Sequence, residues 1–396
     1  MNTSFDIVVL PVPLAPIITP TFHFIFSIGI LTSKFFIISF LSTSNIPLTF
    51  SFLKLYGTVI FFINFLSFKI IEFIFVDIIY LILKTYNSIF NFSSQKKTIL
   101  TLGTFDGVHI GHQSILDKLK KATHHGYYES VVLTFFPHPR MVLNQDMSIK
   151  LLNTIEEKTS LLANFGIDTL IIHPFDETFS KLTAEDFVKT ILVEKLNIHK
   201  IIIGYDHRFG INRSANIDDL VNFGIKYNFE VEQISAKEID DISISSTKIR
   251  KALLEGDVKT ANNYLGYKYS FNGKVVEGKK NGRAIGYPTA NIQIAENYKL
   301  IPKNGVYIVS SKIDEVVFYG MMNIGTNPTL GENEQTIEIH FFNFNSDIYS
   351  KEINISVIEY IREEQKFESL LALKAQLDKD KEFSMQFLTE YESTLF

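Results

Sequence analysis

From Thr98 onward, apolar and polar positions follow two alternating periods. "TILTLGTF" is an apolar run of strand length, and in "HQSILDKLKKATHHG" Ile115, Leu116, Leu119 and Ala122 share one helical face that stops at Gly126. "SVVLTFF" reads as a strand, "TIEEKTSLLANFG" carries a capping box in Thr154 and Glu157 and ends on a glycine, and "TLIIHPF" is again a strand. Helix "TAEDFVKTILVEKL", strand "KIIIGY", helix "NIDDLVNFGIKY", strand "FEVEQI" and helix "SSTKIRKALLEG" follow, the last closed by Gly256. Strands alternating with helices in this way predict an α/β, Rossmann-like, doubly wound parallel sheet with its ligands at the carboxyl ends of the strands.

After Gly266 the period changes. "YSFNGKVVEG", "GVYIVSSKI", "VVFYGMMNIG", "QTIEIHFFNF" and "EINISVIEYI" read as strands or hairpins, and only "FESLLALKAQLDKDKEFSMQFL" reads as a helix. The expectation is a small antiparallel β-barrel or sandwich with a C-terminal helix. The predicted boundaries are 83–256 for the first domain, 257–267 for a joining segment and 268–396 for the barrel domain.

Residues 1–82 follow neither period. They carry six charged side chains (Asp6, Lys34, Lys54, Lys69, Glu72, Asp77) and a run with prolines at 11, 13, 16 and 20. The apolar run 35–53 is interrupted by serine, threonine, asparagine and proline, the run 56–68 is short for a span, and Glu72 and Asp77 break the next. We read 1–82 as an anomalous apolar extension, not native or disordered: an upstream extension of the reading frame, with the start near Leu83. A membrane partner is expected only if this segment is real.

The whole chain of 396 residues has 38 basic and 43 acidic side chains and no cysteine. Disulfides, thiolate metal sites and a cysteine nucleophile are therefore excluded, and the composition fits a reducing cytoplasm. No global basic field points to nucleic acid, so recognition must be local.

The local candidate is "LTLGTFDGVHIGHQSIL". Gly103 and Gly107 permit a tight turn after the first strand, and Gly111 allows close approach at the start of a helix, where free N–H groups and the helix dipole favour phosphate. His109 and His112 lie on one side of that first helical turn and can donate to phosphate oxygens. Zinc is the competing guest for two such histidines, although no third or fourth ligand is marked at a recognisable spacing.

"GTFDGVHIGHQ" resembles the HxGH signature of the nucleotidylyltransferase superfamily, and "SSTKIR" at 245–250 resembles its ISSTxIR-type second signature. With "FFPHPRMVL" and "GYDHRFGINR" in the same order, the match is to the adenylyltransferase module of the prokaryotic bifunctional riboflavin kinase/FAD synthetase family. That resemblance implies transfer of AMP from ATP to FMN. It implies ATP binding by Gly103, Phe105, Asp106, Gly107, His109, Gly111, His112, Ser246, Thr247 and Arg250, with His109 and His112 at the chemistry. It places the flavin beside Pro137, His138, Asp206, Arg208 and Phe209.

In the second domain, Pro288 biases Tyr287 toward extended structure, and Thr289 and Asn291 then point to one face of the next strand. Their oxygens suit a hard cation such as Mg²⁺ bound with phosphate. In "QTIEIHFF", Ile337 and Ile339 face one way and Thr336, Glu338 and His340 the other, which makes Glu338 a candidate general base. With "NIGTNPT" and "IREEQKF", this region resembles the riboflavin kinase module of the same family. The resemblance implies phosphorylation of the ribityl 5′-hydroxyl with Glu338 as base. It implies an ATP loop of Gly278, Lys279, Gly282, Arg283 and Gly286, with Thr289 and Asn291 at Mg²⁺ and phosphate, and Asn323, Thr329 and Arg362 near the flavin.

The expected protein is a cytoplasmic, Mg²⁺-dependent enzyme, monomeric or weakly oligomeric, with ATP, riboflavin, FMN and FAD as substrates or products. A nucleotidylyltransferase with a non-flavin acceptor, or a flavin-binding regulator without turnover, are the alternatives.

Overall fold

The computed structural model describes residues 83–123, 126–143, 148–204, 207–234, 244–278, 281–326 and 335–393, together with five strands within residues 8–64. The chain divides into two compact units, Met1–Ile79 and Tyr80–Phe396. In the first, β1 (Val8–Leu10), β2 (Ile25–Leu31), β3 (Phe35–Leu41), β4 (Pro47–Leu55) and β5 (Thr58–Asn64) pair antiparallel in chain order.

The second unit opens with β6 (Lys84–Tyr86), β7 (Lys97–Leu102), β8 (Tyr128–Phe135), β9 (Thr169–His173), β10 (Ile198–Gly204) and β11 (Glu230–Ile234). These form one parallel sheet in the order β11-β10-β7-β8-β9-β6. Both faces are covered, so alternate residues of one strand enter different cores. Ile99, Val132, Leu170 and Ile202 pack on one side, and Leu100, Val131, Leu133, Ile171, Ile201 and Ile203 on the other. The chain runs outward from β7 through β8 and β9, then returns to place β10 on the other flank of β7. Such a reversal opens a crevice at the carboxyl ends of β7 and β10.

The connecting helices bear out the sequence pattern. They include α1 (Ile110–Thr123), α2 (Ile155–Asn164), α3 (Phe187–Lys195), α4 (Ile217–Tyr227) and α5 (Ser246–Glu255). The Thr154/Glu157 capping box forms with both of its bonds, and Gly256 closes α5 in the left-handed conformation. One helix departs from expectation: α3 is wound with i→i+5 hydrogen bonds, ending with Leu196 N–H on the Ile191 carbonyl at 2.9 Å. The joining segment 257–267 contains a helix, α6 (Val258–Leu265), capped by Asp257 and terminated by Gly266. Its Val258, Ala261 and Leu265 are buried in the core that also lines the barrel.

The barrel is closed by β12 (Ser270–Val276), β13 (Ala290–Gln293), β14 (Gly305–Ile313), β15 (Val316–Thr326), β16 (Gln335–Phe341) and β17 (Glu352–Arg362), all antiparallel, in the order β12-β13-β16-β15-β14-β17. Helix α7 (Leu370–Ser393) covers the outward apolar patch of Ile308, Met321 and Ile358 through Leu388. Among the described residues no helix is long and apolar enough to cross a membrane.

The two modules share a buried polar clip. Lys299 Nζ, on the loop before β14, donates to Glu157 Oε2 at 2.5 Å, to the Leu152 carbonyl at 2.7 Å and to the Ser270 carbonyl at 2.8 Å. The other Glu157 oxygen accepts the Asn272 N–H at 3.0 Å. Burial pulls the Lys299 ammonium below the ordinary lysine range and Glu157 opposes that pull. Removing one member of a pair buried like this leaves an uncompensated charge, whereas removing both does not. Lys299→Met is therefore expected to cost about 3–5 kcal/mol in urea unfolding, and the double variant Glu157→Gln/Lys299→Met to recover much of it. A single variant as stable as the wild type would contradict this account of the clip.

Candidate active sites

The first site grows from the turn after β7. Gly107 holds φ +84°, and a Cβ there would meet Leu152 Cδ1 at 2.6 Å, so this position requires glycine on both counts. Phe105 (φ 44°) and Val108 (φ 34°) also sit in the left-handed region without being glycine, a strain that surrounding contacts must hold in place. Two side chains supply those contacts: Tyr267 Oη donates to the Gly107 carbonyl at 2.7 Å, and Gln113 Nε2 donates to the carbonyls of Val108 and Leu265. Gly103 is half-buried, and Gly111 is buried in the first turn of α1.

The turn delivers His109 and His112 as stacked rings 3.7 Å apart, with the Phe105 ring 4.9 Å from His112. Burial pushes the His112 imidazole well below the ordinary histidine range, and the neighbouring His109 and Lys158 push the same way. A neutral ring results, with one N–H to donate. Its Nδ1 is buried and has no hydrogen-bond partner among the described residues. Among the described residues no three His, Cys, Asp or Glu side chains converge as a metal cage, so the zinc alternative finds no further ligands here.

Asp106 is the hub. Its Oδ1 accepts the N–H groups of Leu152 at 2.9 Å and Asn153 at 3.4 Å, and its Oδ2 takes Arg250 Nη2 at 2.7 Å. Ser246 Oγ donates to the Asp106 carbonyl at 2.9 Å. The "SSTKIR" helix is thus fastened to the histidine turn, 144 residues away, through a nearly buried ion pair. Arg250 still keeps its Nε buried and without a partner. Thr247 is exposed. Lys158 also belongs to this site: its Nζ donates to the Thr104 carbonyl at 2.7 Å, and its pKa is lowered to about 8 by burial, with Asp106 opposing.

His138, after β8, is buried, and the Arg140 N–H donates to its Nδ1 at 3.1 Å, leaving a neutral ring its proton on Nε2. Pro137 beside it is exposed. Arg208 is exposed, while Phe209 is 7% exposed and packs in the sheet core 6.0 Å from the Phe187 ring. Asp206 lies outside the described residues. The structure thus draws together Phe105, Asp106, His109, His112, Ser246, Arg250 and His138, while Thr247 and Arg208 are exposed and Phe209 is packed in the sheet core.

The second site is a row across the barrel. Strand register pairs Asn291 with Glu338, Glu338 with Asn323, Asn323 with Val306, and Val306 with Arg362. Ile337, Ile339, Met322 and Ile324 fill the barrel interior, so the pleat sends Glu338 and Asn323 to the opposite, outer face. Thr289 Oγ1 donates to Glu338 Oε2 at 3.0 Å. His340 Nδ1 lies 2.8 Å from the Pro288 carbonyl and so donates to it, fixing the residue before Thr289, and Tyr287 Oη donates to Asp378 Oδ1 on α7 at 2.5 Å.

Glycines shape the approach to this row. A Cβ on Gly278 would fall 2.0 Å from Asn291 Nδ2, and one on Gly282 would fall 2.0 Å from the Tyr287 carbonyl oxygen. Gly286 takes φ +84°, and Arg283 Nη2 donates to Tyr349 Oη at 3.3 Å. A hydroxyl, an amide and a carboxylate converging in a cradle kept open by Gly278 make a hard-oxygen donor set, which fits Mg²⁺ carried in with phosphate. Arg362 is bound bidentately to Asp380 on α7 (Nε–Oδ1 2.9 Å, Nη2–Oδ2 2.7 Å), so its first partner is the C-terminal helix. Lys279 and Thr329 lie outside the described residues.

Sequence reasoning missed Lys158, Tyr267, Gln113 and Asp380. For Lys158 a signal existed: it stands one turn before Leu162, on the apolar face of α2.

Burial, helped by Arg250, Lys158 and Arg140 and opposed by Asp106, lowers the His138 pKa from 6.5 to about 4. Between those values the unfolded chain binds the proton and the folded chain does not. Stability is then fully present above pH 6.5 and falls as pH drops toward about 4. His138→Asn is expected to flatten this slope in pH-resolved urea unfolding, and an unchanged slope would refute the assignment.

A family model for FAD synthetase matches residues 91–248, and one for riboflavin kinase matches residues 265–388. A bifunctional riboflavin kinase/FMN adenylyltransferase of Buchnera aphidicola subsp. Schizaphis graminum is 41% identical over 292 residues, 73% of this chain and 93% of that protein. The protein of the same description from Escherichia coli K12 is 33% identical over 308 residues, 77% of this chain and 98% of that protein. A crystal structure from Streptococcus pneumoniae described as a macrolide-efflux protein matches with TM-score 0.70 and 31% identity, over 76% of this chain and 98% of its own. With two family models matched in order along the chain and its curated relatives covered almost end to end, the chain belongs to the bifunctional riboflavin kinase/FMN adenylyltransferase family.

Proposed function

We propose that the barrel module phosphorylates the ribityl 5′-hydroxyl of riboflavin with ATP, and that the parallel-sheet module then adenylylates the FMN with a second ATP, releasing pyrophosphate. What supports the assignment of residues is that each module carries its own site: the Thr289–Glu338 pair on the barrel face, and the stacked histidines with Asp106 and Arg250 at the sheet crevice.

In the barrel, Glu338 already accepts a hydroxyl proton from Thr289 at hydrogen-bond distance. A substrate hydroxyl in the same position is activated in the same way, with Glu338 as general base. The Thr289 hydroxyl and the Asn291 amide oxygen would hold Mg²⁺, which would supply charge neutralisation on the transferred phosphoryl group. His340 and Tyr287 hold the strand entry that presents Thr289. Gly278, Lys279, Gly282, Arg283 and Gly286 cover ATP, while Asn323, Thr329 and Arg362 border the flavin.

In the sheet module, an oxygen of the FMN phosphate attacks the α-phosphorus of ATP, the bond to the β-phosphate oxygen breaks, and pyrophosphate leaves with the electron pair. No protein nucleophile is needed; positioning and charge neutralisation do the work. His109 and His112 donate to phosphate oxygens, Ser246, Thr247 and Arg250 take the β- and γ-phosphates, and Pro137, His138, Asp206, Arg208 and Phe209 form the flavin side. The enzyme acts in the cytoplasm, a reading supported by its dependence on ATP at both steps, and as a monomer or weak oligomer, supported by both sites lying within one chain.

Loss of a general base typically costs about 10²–10⁴-fold. Glu338→Gln is expected to abolish FMN formation within that range and to spare FAD formation from supplied FMN; His112→Ala is expected to do the reverse. Chromatographic separation of the flavins tests both, and loss of both activities in either folded variant would overturn the assignment of separate sites.

A further inference from the structure

Lys158 is 4% exposed, yet among the described residues no carboxylate lies within ion-pair distance of its ammonium. Its hydrogen bond goes to the Thr104 carbonyl, one acceptor for three N–H groups. The acidic group that acts on it is Asp106, whose oxygens already serve Arg250 and the N–H groups of Leu152 and Asn153. A carbonyl clip alone does not call for a charge: burying an ammonium without a counter-ion costs several kcal/mol, and a neutral donor would bind Thr104 as well.

The position explains the charge. Thr104 opens the turn that carries Phe105 to His112, and the Lys158 ammonium acts electrostatically both on His112, in the first turn of α1, and on His138, in the turn after β8. Around the same crevice, His112 Nδ1 and Arg250 Nε are buried without partners. Two buried nitrogens thus have no partner among the described residues, and Lys158 has N–H groups to spare beyond its bond to Thr104, so an anion with several oxygens would satisfy all three groups together.

We propose that Lys158 is a phosphate-contacting cation of the adenylyl-transfer site, set against the triphosphate of ATP and the pyrophosphate that leaves it. This rests on reading the crevice as the FMN adenylylation site. Lys158 keeps its proton throughout and supplies charge where the leaving group gains it. With a pKa of about 8 it is mostly protonated at neutral pH, and an adjacent anion strengthens that state.

The test uses the full chain, comparing wild type, Lys158→Met and Lys158→Arg. Removing one such electrostatic contact typically costs about 10²–10³-fold. Lys158→Met is expected to lower kcat/KM for ATP in FMN adenylylation by about 100-fold and to weaken pyrophosphate binding in calorimetry. The KM for FMN and the riboflavin phosphorylation rate are expected to stay unchanged, and Lys158→Arg to recover a large part of the loss. Adenylylation and pyrophosphate affinity near wild type in Lys158→Met would overturn the proposal. So would a parallel fall of both activities with a lowered unfolding midpoint and unchanged pyrophosphate binding, which is the signature of a structural clip. If Lys158→Met does not fold, Lys158→Arg decides: retained pyrophosphate binding supports the proposal, and its loss in a folded protein overturns it. Wild-type protein that makes no FAD from FMN and ATP would instead sink the underlying reading of the site.

Discussion

The buried carboxylate of Asp106 organises both chemistry and architecture. It sits in the turn that follows β7, takes the Arg250 guanidinium at 2.7 Å, and fixes the backbone of Leu152 and Asn153. Because the turn holds Phe105 and Val108 in left-handed conformations, it needs such restraint to persist. Without Asp106, the two signature segments of the sheet module would have no direct bond at this point, and Arg250 would be a nearly buried cation lacking its counter-charge.

The same restraint runs on into the barrel. The Leu152 N–H donates to Asp106 and its carbonyl accepts from Lys299, which also donates to Glu157 and to the Ser270 carbonyl. Tyr267 and Leu265, at the end of the connecting helix, bind the Gly107 carbonyl and the Gln113 amide of the histidine turn. The histidine turn is therefore held partly by residues of the connecting helix and the segment before β12, and the two modules pack around one continuous core. On the far side of the barrel, α7 plays the corresponding part, with Asp378 on Tyr287 and Asp380 on Arg362.

Much of this was legible in the residue pattern. The parallel-sheet strands, the Thr154/Glu157 capping box and the outward set on β16 follow from local periodicity, and the joint role of the histidine turn and "SSTKIR" follows from the family resemblance of the two motifs. The contacts that were not legible join residues far apart in sequence. Glu157 reads as a helix cap and Lys299 as a surface lysine until the fold brings them together across 142 positions. Arg362 was expected near the flavin, and its pairing with Asp380 becomes visible only once α7 packs on the barrel. Helix α6 is a different case: Asp257 and Gly266 were readable as its start and stop, and its shortness concealed it.

Membership of the bifunctional family leads to the central claim, that one chain carries both steps in sequence. Incubating the intact protein with ATP, Mg²⁺ and riboflavin, and following flavins and pyrophosphate together, tests this most directly. The account predicts that FMN appears first, that FAD follows at its expense, and that one pyrophosphate is released for each FAD. FMN accumulating with neither FAD nor pyrophosphate, or riboflavin left unchanged, would contradict it.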